Sequence, residues 1–103
     1  MNITTFSFEQ ESYNTNEFRT FARIFKEEFK KEIAQVGGVL SKFNVGHFYL
    51  SGFFTIGTKF YYFSWHNDNT DLLYRTAKND EDYFGGQNMY VRIETGMAKK
   101  MRL

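Results

Sequence analysis

Apolar residues recur along the first third of the chain at helical spacing. Phe18, Ala22, Phe25, Phe29, Ile33 and Val36 fall on one stripe, and Phe21 and Ile24 widen it. Arg19, Glu27, Lys30 and Lys31 fall on the opposite side. Such a stripe predicts an amphipathic helix laid on a sheet. Asn14 stands as an N-cap, Glu17 sits three residues on as its capping-box partner, and Gly37-Gly38 ends the run. Upstream, residues 1–13 alternate weakly, with Phe6 and Phe8 on one side, as an edge strand or pinned arm would.

Beyond Gly38 the period changes from helical to alternating. Val39 to Asn44 reads as a first strand, His47 to Thr55 as a second and Lys59 to Trp65 as a third. Leu72 to Ala77 and Met89 to Glu94 complete the set. Short connections favour a sequential antiparallel meander. The predicted fold class is therefore α+β: one N-terminal helix packed on a four- to five-stranded antiparallel sheet. Residues 1–103 form a single domain on this reading.

The stretch from Gly46 to Trp65 anchors the pattern, because nine of its twenty residues are aromatic. It reads as two strands joined at Ile56-Gly57-Thr58. Gly52 interrupts one face, as at a bulge or a close approach. Phe48, Leu50 and Phe54 share one side of the second strand, and His47, Tyr49, Ser51 and Phe53 share the other. One helix covers one face of a sheet. The second face must be folded over, paired with another subunit, or used for binding. The tail from Thr95 to Leu103 carries Lys99, Lys100 and Arg102 and reads as a solvated end.

Composition narrows the function classes. Aromatics make up 20% of the chain, too many for a disordered protein. Formal net charge is +1, so the total gives no nucleic-acid footprint. There is no cysteine, which excludes disulfides, thiolate metal sites and a thiol nucleophile. No apolar run approaches the roughly 18 residues of a membrane span. MNITTFSFEQ lacks a basic and an apolar signal region, so a cytoplasmic location is expected.

Little suggests catalysis. The two histidines, His47 and His66, lack a nucleophile motif around any Ser. His66 with Asp68 and Asp71 is a loose metal set that turn-forming explains better. Asp80, Glu81 and Asp82 are consecutive carboxylates of the kind solvated on loops. No GxxxxGK[ST] or GxGxxG occurs, so no nucleotide cofactor is expected. The expectation is a non-enzyme with no cofactor and no metal.

The most loaded stretch runs from Arg75 to Asn88. Arg75 and Lys78 can take a phosphate or a carboxylate. Asp82, Tyr83, Gly85, Gly86 and Asn88 add a carboxylate, a phenol, a flexible pair and an amide. The alternative is a structural hairpin loop, held by an Arg75–Asp82 pair and capped by Tyr83. Tyr90 follows the loop, and Tyr49 and Phe53 belong to the aromatic face. Tyr49, Phe53 and Tyr61, with Lys59, Arg75, Lys78 and Arg92 as cations, would suit a single-stranded nucleic-acid binder. A homodimer pairing its aromatic faces is a third use.

GHFYLSGFF, then KFYYFSW, then LLYRTAKNDEDYFGGQNMY resemble a family of small proteins from phages and mobile elements of Gram-positive bacteria, with the signature GHFYxSGFF … YYFS … RTAK … DYxGG. The resemblance covers residues 46–90, about half of the chain. This chain departs from it at Phe84, where the family pattern has a small polar residue. The resemblance implies a helix-then-sheet domain that binds and inhibits or modulates a host protein complex. A CRISPR–Cas effector is one such partner, which would make the protein an anti-CRISPR. Arg75, Tyr83 and Tyr90 are the first interface candidates, since Arg and Tyr are frequent hot spots.

Overall fold

Five aromatic or aliphatic side chains in register draw the first helix onto the sheet. The structure, a computed structural model, describes residues 15–66 and 71–103. Helix α1 spans Thr15–Gln35. Phe18, Ala22, Phe25, Phe29 and Ile33 are buried along it, while Arg19, Glu27, Lys30 and Lys31 face solvent. Gly37, at φ 81, takes the left-handed position that closes the helix, and its N–H donates to the Ala34 carbonyl at 3.1 Å. The Asn14 cap and the strand or arm expected over residues 1–13 lie outside the described residues.

The sheet has five antiparallel strands in sequence order: β1 Gly38–Val45, β2 Tyr49–Ile56, β3 Lys59–His66, β4 Asp71–Ala77 and β5 Met89–Arg92. The α+β meander expected from the alternation is the fold observed. A two-residue Gly57-Thr58 turn joins β2 to β3, since Ile56 pairs with Lys59. Gly57 sits at φ 60, as the first central position of a type II′ turn requires.

Leu50, Phe54, Tyr61, Phe63, Trp65, Leu72, Tyr74 and Val91 are all buried and form one cluster with the apolar residues of α1 and the C-terminal segment. The rings interlock across that interface. Phe29 lies 4.8 Å from Phe63, and Phe21 lies 5.0 Å from Trp65. Such pairs add about 0.5–1.5 kcal/mol beyond area burial.

Two expectations need correction. His47 and Phe48 are not strand residues. They form the bend before β2, where Phe48 adopts φ 61 and packs 5.4 Å from Phe18. The C-terminal segment is not a solvated end. Met97–Lys100 forms a short helix α2, and Met97, Ala98 and Met101 are buried. These three apolar side chains fall on one side of the chain and join the core cluster beside α1. Glu32 of α1, 2% exposed, receives the Gly96 and Ala98 N–H groups at 3.2 and 3.0 Å. Those are free donors at the start of α2, and a carboxylate satisfies them. The Tyr74 hydroxyl accepts the Arg102 N–H at 2.7 Å. No described helix is long and apolar enough to cross a membrane.

Candidate binding surface on the outer face

The face of the sheet turned away from α1 carries one continuous row across four strands. Lys42 pairs with Phe53, Phe53 with Tyr62, and Tyr62 with Arg75. Alternation alone would have turned Lys42 inward. A bulge on β1 between Leu40 and Lys42 inserts one residue and switches the side. Lys42 thereby stands outward over Phe53, and Phe43 turns in toward Phe25 and Phe63. Gly52 makes the bulge possible. A Cβ there would sit 2.0 Å from the Lys42 carbonyl oxygen.

The 78–88 loop folds over this row. Asp82 organises it: the carboxylate accepts the Lys78 N–H at 2.9 Å, the Gly85 N–H at 2.9 Å and the Phe84 N–H at 3.3 Å. The Lys78 N–H does most to hold the Asp82 carboxyl below the usual range. The Phe84 and Gly85 N–H groups and the Lys78 charge add to it, against the opposing effect of desolvation. Gly85 and Gly86 are there for space. A Cβ on Gly85 would meet Asp82 Oδ2 at 2.2 Å, and one on Gly86 (φ 78) would meet the Thr76 carbonyl at 2.4 Å.

Tyr83 is turned down onto the sheet. Its ring lies edge-on to Phe53 at 5.1 Å and to Tyr62 at 5.7 Å. Phe53 is thereby 0% exposed, although it stands outside the main core cluster. Lys42 Nζ reaches across to the Asp80 carbonyl at 3.0 Å. Arg75 lies over Tyr62, 4.5 Å from the ring centre. Its terminal nitrogens donate to the Tyr83 carbonyl and, at 3.0 Å, to Asn88 Oδ1. The loop's internal bonds thus run from Arg75 to Tyr83 and Asn88, and from Asp82 to backbone N–H groups.

The residues singled out from the sequence separate into groups. Lys78, Asp82, Tyr83, Gly85, Gly86 and Asn88 lie in the loop, and Arg75 of β4 is bonded to it. Tyr90 is 61% exposed on the same face, opposite Leu73. Tyr49 lies four residues along β2 from Phe53, whose pairing row holds Arg75, and sits beside His66 with ring centres 5.7 Å apart. Phe53 supports Tyr83 from below and offers nothing to a partner. The stacking trio Tyr49, Phe53 and Tyr61 does not form a platform. Tyr61 is on the inner face at 2% exposure, and Phe53 is covered. Among the described residues no cluster of three or more His, Asp or Glu side chains could hold a metal, and Asp68 lies outside them.

One residue outside the expected set dominates the surface. Phe84 is 92% exposed at the loop tip. A fully apolar ring between Tyr83 and a glycine pair was its only signal in the sequence. Comparison with known proteins returns no matching family model, curated protein or solved structure, so the outer face itself must say what it binds.

Proposed function

We propose that this protein acts by binding another protein through the outer face, with Phe84 and Tyr90 as its apolar contacts and the Arg75–Asn88 loop as its frame. The observation that carries this reading is the opposite orientation of two neighbouring rings. The loop turns Tyr83, which has a hydroxyl, inward, and holds Phe84, which has none, at 92% exposure. Solubility alone favours the reverse arrangement. An exposed aromatic on a hydrogen-bonded loop is a common form of interface anchor. Together with the resemblance to phage and mobile-element proteins, this supports an accessory protein that inhibits or modulates a host complex, a CRISPR–Cas effector among them.

The test is affinity capture from a Gram-positive host lysate with the tagged full chain, with and without nuclease, read by mass spectrometry. A specific protein should be retained after nuclease, and Phe84→Ala or Tyr90→Ala should reduce its recovery about tenfold or more, in line with hot-spot losses. Retention that disappears with nuclease, or that neither variant changes, overturns the proposal.

A further inference from the structure

Arg75 combines three features that loop architecture alone leaves unexplained. Both of its hydrogen-bond acceptors are neutral, the Tyr83 carbonyl and Asn88 Oδ1. Its Nε is buried and has no hydrogen-bond partner. Among the described residues, no ion pair involves it. A half-buried guanidinium normally faces a carboxylate, because removing the charge from water is otherwise unfavourable. The nearby carboxylates are engaged elsewhere. Asp82 is taken by backbone N–H groups and the Lys78 charge, and Asp80 lies 3.9 Å from Lys42.

The guanidinium is also fixed in place. Tyr62 holds its plane from one side, and the two bonds hold its edge. Each terminal nitrogen has a second N–H beyond the bond it makes, so two charged donors remain without a charged acceptor. Phe84 stands exposed on the same loop, and Tyr90 is exposed two residues beyond Asn88.

We propose that Arg75 is the receptor for a single carboxylate on the protein partner, an Asp or Glu side chain flanked by apolar residues that rest on Phe84 and Tyr90. This inference rests on the binding reading above and names the chemistry of what is bound. A partner carboxylate supplies the counter-charge that the two neutral acceptors do not. A phosphate chain fits less well. It carries no apolar side chain to rest on Phe84 and Tyr90.

The experiment is an NMR titration of the full chain, following backbone amides and the Arg75 Nε–H. The probes are a blocked peptide, acetyl-Glu-Phe-Glu-Leu-amide, and its Gln-Phe-Gln-Leu counterpart. The Glu peptide should shift Arg75, Asn88, Phe84 and Tyr90 together and bind about tenfold or more tighter than the Gln peptide. Arg75→Lys keeps the charge and loses the fork, and should remove most of that discrimination. Phe84→Ala should weaken both peptides alike. Equal binding of the two peptides at Phe84 and Tyr90 overturns the carboxylate inference while the binding reading stands. Discrimination that survives Arg75→Lys, shifts that map away from Arg75, or no shift at several millimolar peptide also overturn it. Amide spectra of each variant alone establish that the fold is retained.

Discussion

The Tyr83 ring meets Phe53 edge-on at 5.1 Å, and this one contact converts an aromatic sheet face into a second, smaller core. No described helix stands above Phe53. Its burial depends on a loop residue thirty positions later in the chain. The outer face is therefore only as well ordered as the loop that holds Tyr83.

Replacing Tyr83 with Ala should uncover Phe53 and lower unfolding free energy by about 1–2 kcal/mol, less than a fully buried ring because Tyr83 is 37% exposed. Tyr83→Phe keeps both ring contacts and should stay close to the parent. Urea denaturation measures both, and equal midpoints for the Ala variant and the parent would show that the loop does not cover the face.

Phe84 should behave in the opposite way. At 92% exposure, Phe84→Ala should change stability by no more than about 0.5 kcal/mol. The same substitution is expected to remove partner capture. Thermal melting beside the capture experiment separates the two effects.

Gly52 and Gly86 should both resist a methyl group. Gly52→Ala drives a Cβ to 2.0 Å from the Lys42 carbonyl, a backbone atom that cannot swing aside. Overpacking of this kind costs about 1–3 kcal/mol, occasionally more. Loss of the bulge should also turn Lys42 away from Phe53, which a changed Lys42 side-chain NMR shift would report. Gly86→Ala adds a positive φ of 78 to a clash at 2.4 Å with Thr76 and should detach the loop end.

The loop should loosen in acid. The Asp82 carboxyl titrates below its ordinary value of 3.8 when folded, chiefly because of the Lys78 N–H. A depressed folded pKa contributes stability above the unfolded pKa, and that contribution is lost as pH falls through the folded pKa. Amide shifts of Lys78, Phe84 and Gly85 should hold from neutral pH down to about 4 and move together below it. Glu94 is depressed in the same direction, first by its hydrogen bond from Lys100, so the acid transition has two origins. Asp82→Asn separates them: it should abolish the loop transition and leave the one around Glu94.

Glu32 should matter more than its place on a charged helix suggests. Glu32→Ala leaves the buried Ala98 N–H and the part-buried Gly96 N–H without acceptors, and unmet buried donors cost about 1–3 kcal/mol. Glu32→Gln retains one acceptor and should lose less. Hydrogen exchange at Ala98 should quicken in the order parent, Gln variant, Ala variant.

Much of this architecture is a consequence of local pattern. The phenylalanine stripe of α1, the alternation of β3 and the glycine at φ 60 in the β2–β3 turn follow from side-chain period and backbone sterics, which act over a few residues. The clustering of Asp82, Tyr83, Gly85 and Gly86 in one loop after Arg75 was legible for the same reason. What tertiary structure alone decided lies at long range. The β1 bulge reverses side-chain parity, so Lys42 reaches a face that alternation denies it. The covering of Phe53, the capping of α2 by Glu32 across 66 positions to Ala98, and the opposite fates of Tyr83 and Phe84 depend on which surfaces meet. Adjacent aromatic residues look alike to any local rule. Only the packed loop chooses which one to turn onto the sheet, because one ring finds Phe53 and Tyr62 beneath it and the other finds solvent.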